Sequence, residues 1–128
     1  MIVDKRRILI VDDEAAICQF CQRVLTEEGF EADCAPEGKS AQSIISKQEY
    51  DLYLVDIKMP LVGGKDLYEW LQETYPRSAA KVVFITGSAI GQDTESFLRS
   101  SGRPVLLKPF TIDELKTAIG EALKEIHN

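Results

Sequence analysis

Four short apolar runs punctuate the chain, and each is cut off by polar residues of a particular kind. Ile8-Leu9-Ile10-Val11 leads into Asp12 and Asp13, Leu52-Tyr53-Leu54-Val55 into Asp56, Val82-Val83-Phe84-Ile85 into Thr86, and Val105-Leu106-Leu107 into Lys108. Runs of this length read as strands buried on both faces, the kind found in parallel sheets. With a more polar segment near Glu31, strands are expected over about 7–11, 31–35, 51–55, 81–86 and 104–107.

Helical spacing fills the gaps. Ile17, Cys21, Val24 and Leu25 form one stripe of a first helix over about 14–28, which stops at Gly29, a residue suited to a left-handed C-terminal turn. A second is expected over about 38–47. The third carries Leu67, Trp70 and Leu71 and ends at Tyr75-Pro76, because the residue before proline is pushed out of the helical region. A fourth over about 92–100 is weak, with only Phe97 and Leu98 apolar. The last starts at Thr111 with Glu114 three positions on, and is expected to bury Ile112, Leu115, Ile119, Leu123 and Ile126.

Strand and helix alternate throughout, which predicts an α/β domain. Ligands of open parallel sheets bind beyond the carboxyl ends of the strands. Asp12, Asp13, Asp56, Thr86 and Lys108 are therefore expected to meet at one edge. Three carboxylates gathered there repel one another unless a hard divalent cation or a lysine neutralises them.

Composition narrows the reading. A 128-residue chain with 45% hydrophobic residues supports a single domain with one core and no need of disulfide or metal staples. With 21 acidic and 15 basic residues the net charge is -6, so this domain alone is not expected to favour nucleic acid. The basic triplet Lys5-Arg6-Arg7 precedes an apolar run that Asp12-Asp13-Glu14 cuts short of a signal-peptide core, and no stretch approaches a membrane span. No membrane insertion is expected. Cys18, Cys21 and Cys34, in a chain with no secretory signal, fit free thiols in a reducing cytoplasm.

Smaller motifs carry less. Cys18-x-x-Cys21 lies mid-helix without a second ligand pair, and Cys21 falls on the core stripe, where a free cysteine behaves as a small hydrophobe. Gly63-Gly64 lacks the spacing of a phosphate-cradling loop and reads as a tight turn. His127, the single histidine, is read as a frayed-end residue and excluded as a phosphodonor.

The chemistry centres on Asp56. A carboxylate closing a buried strand beside two others is placed to attack phosphorus and form an acyl phosphate. Nucleophile and donor are both anionic, so the attack calls for Mg²⁺, with Asp12 and Asp13 the natural ligands. Lys108 offers a fixed positive charge to a phosphoryl oxygen and Thr86 a hydroxyl donor. Any one of the acids alone reads more simply as a helix cap. That reading fails for the set, because it does not require paired acids, a single acid, a hydroxyl and a lysine each to follow a separate strand.

These residues resemble the receiver domain of two-component response regulators. The resemblance rests on Ile10-Val11-Asp12-Asp13-Glu14, on Val55-Asp56-Ile57-Lys58-Met59-Pro60 with Gly64 after it, on Ile85-Thr86-Gly87 and on Lys108-Pro109-Phe110, and it covers essentially the whole chain. It implies a flavodoxin-like, doubly wound, five-stranded parallel sheet of order 2-1-3-4-5 with five helices. Asp56 would be the phosphoacceptor, supplied by a histidine kinase or a histidine phosphotransfer protein. Asp13 and Asp56 would ligate Mg²⁺ directly, Asp12 would help through water or a carboxylate oxygen, and the main-chain carbonyl of Lys58 would complete the set. Thr86 and Lys108 would contact the phosphoryl group, and Lys108-Pro109 would be cis.

The face made by the fourth helix, fifth strand and fifth helix is expected to switch and to meet an output partner that the sequence does not name. Many receivers carry Phe or Tyr where this chain has Val105, so the signal is expected to travel through the loop after Thr86 or the fourth helix. The stretch from Gly102 to Lys108 looks more like receivers of hybrid kinases or single-domain receivers than transcriptional regulators. Lys58 and Ser88 flank the approach of a hydrolytic water and are expected to influence the lifetime of the phosphorylated state. Phe20 is either core edge or part of the phosphodonor contact. The chain is thus expected to be a switch that assists its own phosphorylation and dephosphorylation. A metal-dependent phosphatase using Asp56 is the alternative, disfavoured because Lys58 stands where such enzymes usually carry a general acid. A binding module with a vestigial site is disfavoured because all five site residues are present.

Overall fold

Strict two-residue alternation along the central strands sorts the core into two layers. In a computed structural model, which describes residues 6–87 and 90–127, the strands are β1 Arg7–Val11, β2 Glu31–Ala35, β3 Leu52–Asp56, β4 Val82–Thr86 and β5 Val105–Leu107. The helices are α1 Ala15–Glu27, α2 Gly38–Lys47, α3 Gly64–Thr74, α4 Pro76–Ala79, α5 Gln92–Ser101 and α6 Ile112–His127. All strand pairs are parallel, in the order β2-β1-β3-β4-β5. Ile8, Ile10, Leu52, Leu54, Val83 and Ile85 pack on one face against α1 and α6. Leu9, Val11, Tyr53, Val55, Val82 and Phe84 pack on the other against α2, α3 and α5. Each side chain buried this completely contributes about 1.5–3 kcal/mol.

The edge strands depart from the expectation of burial on both faces. Every residue of β3 and β4 is buried, but β5 alternates, with Val105 41% and Leu107 58% exposed around buried Leu106. Leu106 points at the α1 and α6 layer. The opposite face of β5 is left uncovered. An apolar run therefore marks this strand correctly while overstating its burial.

Local chemistry explains the boundaries. Gly29 at φ 96° ends the turn after α1, and Gly102 at φ 67° does the same for α5. α6 begins with a reciprocal capping box: Glu114 N–H donates to Thr111 Oγ1 at 3.1 Å and Thr111 N–H to Glu114 Oε1 at 2.9 Å. Leu115, Ile119 and Leu123 are buried as expected, whereas Ile112 is 48% exposed. Ile112 sits at the first position of α6, ahead of that buried stripe, so the expectation of burial is wrong. The short α4 adds a sixth helix to the five expected. Its Pro76 occupies the first turn, where a missing N–H costs nothing. The expectations for Ser88 and for the His127 side chain lie outside the described residues.

Candidate functional site

The order of the strands decides where a site can form. The chain winds outward from β1 to β2, returns to β3, then continues to β4 and β5, so the winding reverses between β1 and β3. Adjacent crossovers leave that point in opposite directions and open a crevice at the carboxyl ends. Val11 pairs with Val55, which sets Asp12 and Asp56 level at the crevice. β4 and β5 add Thr86 and Lys108, tied by the Lys108 N–H to the Thr86 carbonyl at 2.8 Å. Asp56 is itself the last residue of β3, one further than predicted, because it still pairs with Ile85.

The expected carboxylates do converge. Asp12, Asp13 and Asp56 each offer an oxygen, all within 4.8 Å of one another. Asp12 and Asp56 are buried at 1% and 3% exposure, while Asp13 is exposed. Lys108 enters from the far strand, its Nζ 3.0 Å from Asp12 Oδ2 and 3.4 Å from Asp56 Oδ2. Its nearest partner is one the sequence does not reveal, Glu14 Oε1 at 2.7 Å. Glu14 precedes α1 and reads locally as a helix start, and no periodicity links it to a residue 94 positions away.

Burial and charge shape the protonation of this cluster. Burial, reinforced by the charge of Asp12 and opposed by that of Lys108, pushes Asp56 up from 3.8 to about 6. Burial pulls Lys108 the other way, but the bond to Glu14 and the close carboxylates of Asp12 and Asp56 outweigh it and hold the ammonium above its ordinary value. Asp12 Oδ1 accepts the Glu14 N–H at 2.8 Å. Asp12 Oδ2, although close to Lys108, is buried without a properly directed hydrogen bond. A buried carboxylate oxygen with unused lone pairs, beside two further carboxylates, is a donor set for a hard cation. These residues therefore fit a divalent metal of the magnesium class.

The remaining predicted residues take simpler positions. Thr86 is 1% exposed, and its Oγ1 makes only a long 3.4 Å bond to the Gly87 carbonyl, so the hydroxyl is easily redirected. Lys58 has an exposed side chain, and its N–H reaches Asp56 Oδ1 at 3.4 Å. The Lys108-Pro109 bond is cis. Glu14, Ile17, Lys58, Thr86, Ile90 and Lys108 line a cleft of about 500 Å³ at this edge. Phe20 is partly buried and stacks on Phe110 with ring centroids 5.9 Å apart.

Gly64 proves to be a packing glycine rather than only a turn. A Cβ there would lie 2.6 Å from the Asp56 carbonyl oxygen and 2.7 Å from the Ile57 Cα, both unyielding backbone atoms. Gly64→Ala is expected to lower stability by about 2–4 kcal/mol, as overpacking against backbone does. Chemical denaturation reads this directly. The cysteines behave as hydrophobes: burial raises Cys18 and Cys21 to about 12. Cys34 on β2 also meets Cys18, its Sγ donating to the Cys18 carbonyl at 3.5 Å.

Known proteins share this fold. A family model described as the response regulator receiver domain matches residues 8–120. The transcriptional regulatory protein PcoR of Escherichia coli is 31% identical over 93% of this chain and 52% of its own length. The sensor protein EvgS of Escherichia coli O157:H7 is 32% identical over 97% of this chain and 10% of its own length. A CheY-like response regulator receiver domain protein from Methanospirillum hungatei JF-1 superposes with a TM-score of 0.87 at 30% identity, covering 97% of this chain and 98% of that one. The chain spans about half, or far less, of the curated relatives it matches. No described helix is long and apolar enough to cross a membrane. The family match starts on the first core residue of β1 and runs well into α6, taking in every element that shapes the crevice, and the chain accordingly belongs to the receiver domains of two-component response regulators.

Proposed function

We propose that Asp56 accepts a phosphoryl group from a phosphohistidine on a histidine kinase or a histidine phosphotransfer protein. The observation that carries the reading is the buried Asp56 carboxylate at the sheet's switch point, 3.4 Å from Lys108 Nζ and grouped with Asp12 and Asp13. A carboxylate oxygen of Asp56 attacks phosphorus, the N–P bond breaks, and the imidazole leaves with its electron pair. Asp13, Asp56 and the Lys58 carbonyl would hold Mg²⁺, with Asp12 alongside. Bound there, the cation neutralises charge shared between the carboxylate and the phosphoryl oxygens. Lys108 exchanges Glu14 for a phosphoryl oxygen, and Thr86 turns its hydroxyl from the Gly87 carbonyl toward another.

The protein acts once per phosphate and not as a turnover enzyme. Phosphorylation adds close to two negative charges to an acidic crevice, and drawing Thr86 inward biases α5, β5 and α6. Val105, Leu107 and Ile112 leave apolar surface exposed on that side, which suits an output partner. The phosphodonor would dock over the opposite rim, where Ile17 lines the cleft and Phe20 stacks on Phe110. Leu61, 89% exposed with φ 64°, adds an apolar contact in the loop after Asp56. Three free thiols support work in the reducing cytoplasm.

Val105 is half-exposed and stiff about its one torsion, so it does not carry the switch. Val105→Ala is expected to change stability by less than about 1 kcal/mol and to leave phosphoryl uptake unaltered. Intact-mass analysis after incubation with acetyl phosphate tests the main reading. A gain of one phosphoryl group that requires Mg²⁺ and vanishes in EDTA supports it. Sustained phosphate release without an adduct would point to a phosphatase.

A further inference from the structure

A basic cleft lies at the opposite end of β4 and β5 from Thr86 and Lys108. Beneath the amino ends of β4 and β5, Arg77, Lys81 and Arg103 line a cleft of about 510 Å³ together with Glu125, Ala80 and Ile126. Three cations and one carboxylate leave a surplus of two positive charges there, in a chain whose net charge is -6. The cleft lies at the other end of the strands from the phosphoacceptor crevice and shares no residue with it.

Arg103 anchors this cleft. Its side chain is only 10% exposed, and its Nε donates to the Val82 carbonyl at 2.9 Å. Nη1 stands 3.6 Å from Glu125 Oε1, too far for a hydrogen bond, and Nη2 is buried with no hydrogen-bond partner. A guanidinium has five N–H donors, and a buried donor left unused costs about 1–3 kcal/mol. The other buried donor without a partner among the described residues, Gln48 Nε2, lines the adjoining cleft, which shares Arg77 and adds Lys47 and Glu49.

We propose that this cleft binds a phosphate-type dianion, seated against the Arg103 guanidinium with Arg77 and Lys81 beside it. Two surplus positive charges match a dianion, which a single carboxylate would not neutralise. A tetrahedral oxyanion in the cleft can accept a charge-assisted hydrogen bond from Nη1, a contact that Glu125 at 3.6 Å does not supply. Ala80 and Ile126 form an apolar wall, so the phosphate is either free or borne on a small organic body.

The test follows backbone amide resonances of the full chain in EDTA during separate titrations with inorganic phosphate and with AMP. Saturable resonance changes at Lys81, Val82 and Arg103 are expected, with Arg103→Gln weakening binding about tenfold or more, the worth of one charge-assisted hydrogen bond. Arg77→Gln, at an exposed position that leaves the fold intact, should weaken binding several-fold and guards against misfolding of the Arg103 variant. Tighter binding of AMP assigns an organic phosphate, and equal binding assigns the free ion. Changes confined to Gly87 and Lys108, no saturation with either compound, or unchanged affinity in both variants would overturn the proposal.

Discussion

Asp56→Asn abolishes the Mg²⁺-dependent gain of a phosphoryl group and, in EDTA at neutral pH, makes the protein more stable. The first effect follows from removal of the attacking oxygen. The second follows from the cost of holding Asp56 ionised: burial and the neighbouring Asp12 charge place it near 6 in the fold, against 3.8 when unperturbed. Between those two values the folded protein keeps a proton that the unfolded chain has released, so stability falls as pH rises through that window and stays low above it. A tenfold change in the acidity of one group corresponds to about 1.4 kcal/mol, and solvent relaxation around the crevice brings the expected gain at pH 7 to about 1–3 kcal/mol. As pH falls through 3.8 the unfolded chain takes up the proton too, and wild type and variant should converge. Urea denaturation across pH 3.5 to 8 reads the whole curve. Saturating Mg²⁺ should stabilise the wild type selectively and narrow or reverse the gap.

Lys108→Ala has the opposite sign. It leaves Asp12 and Asp56 buried and Asp13 close by with no cation among them, and breaking a buried ionic cluster costs about 3–5 kcal/mol when one partner goes. The lysine side chain is 16% exposed, so a smaller loss, about 2–3 kcal/mol in EDTA, is expected. Because Lys108 is held above its ordinary 10.5, its contribution is fully present below that value and is lost only as pH climbs through the folded value. The deficit should therefore be flat from pH 7 to 9. It should shrink as pH falls from 6 toward 4, where Asp56 takes up its proton. Phosphoryl uptake from acetyl phosphate should slow by about a hundredfold, the usual cost of losing a positioned charge at a transferring group. A double variant with Asp56→Asn should lose less stability than the sum of the single effects, since the two groups are in contact.

The legible and illegible parts of this protein divide by range. β1, β3 and β4 are visible as apolar runs because strands covered by helices on both faces are apolar between their ends, and Thr111 with Glu114 is visible because a capping box closes within one turn. The five polar residues that end the runs can be gathered in advance because parallel strands place all their carboxyl ends on one side. Exposure of Val105, Leu107 and Ile112 is not visible, since a run of apolar letters does not say whether a helix lies over it. Nor is the Glu14–Lys108 contact, which depends on where α1 starts relative to β5. Arg103 looks like an ordinary loop residue in the sequence. Its burial against the Val82 carbonyl exists only once β4 and β5 are side by side.

The measurement that bears most directly on the central claim is borohydride trapping. The chain would be incubated with acetyl phosphate and Mg²⁺, reduced, digested and sequenced by mass spectrometry, since an aspartyl phosphate is reduced to homoserine at the modified position. Homoserine at residue 56, absent in EDTA and absent from Asp12 and Asp13, is the predicted result. Conversion at another aspartate, or none while a phosphoryl adduct persists, would contradict the assignment of Asp56 as the phosphoacceptor.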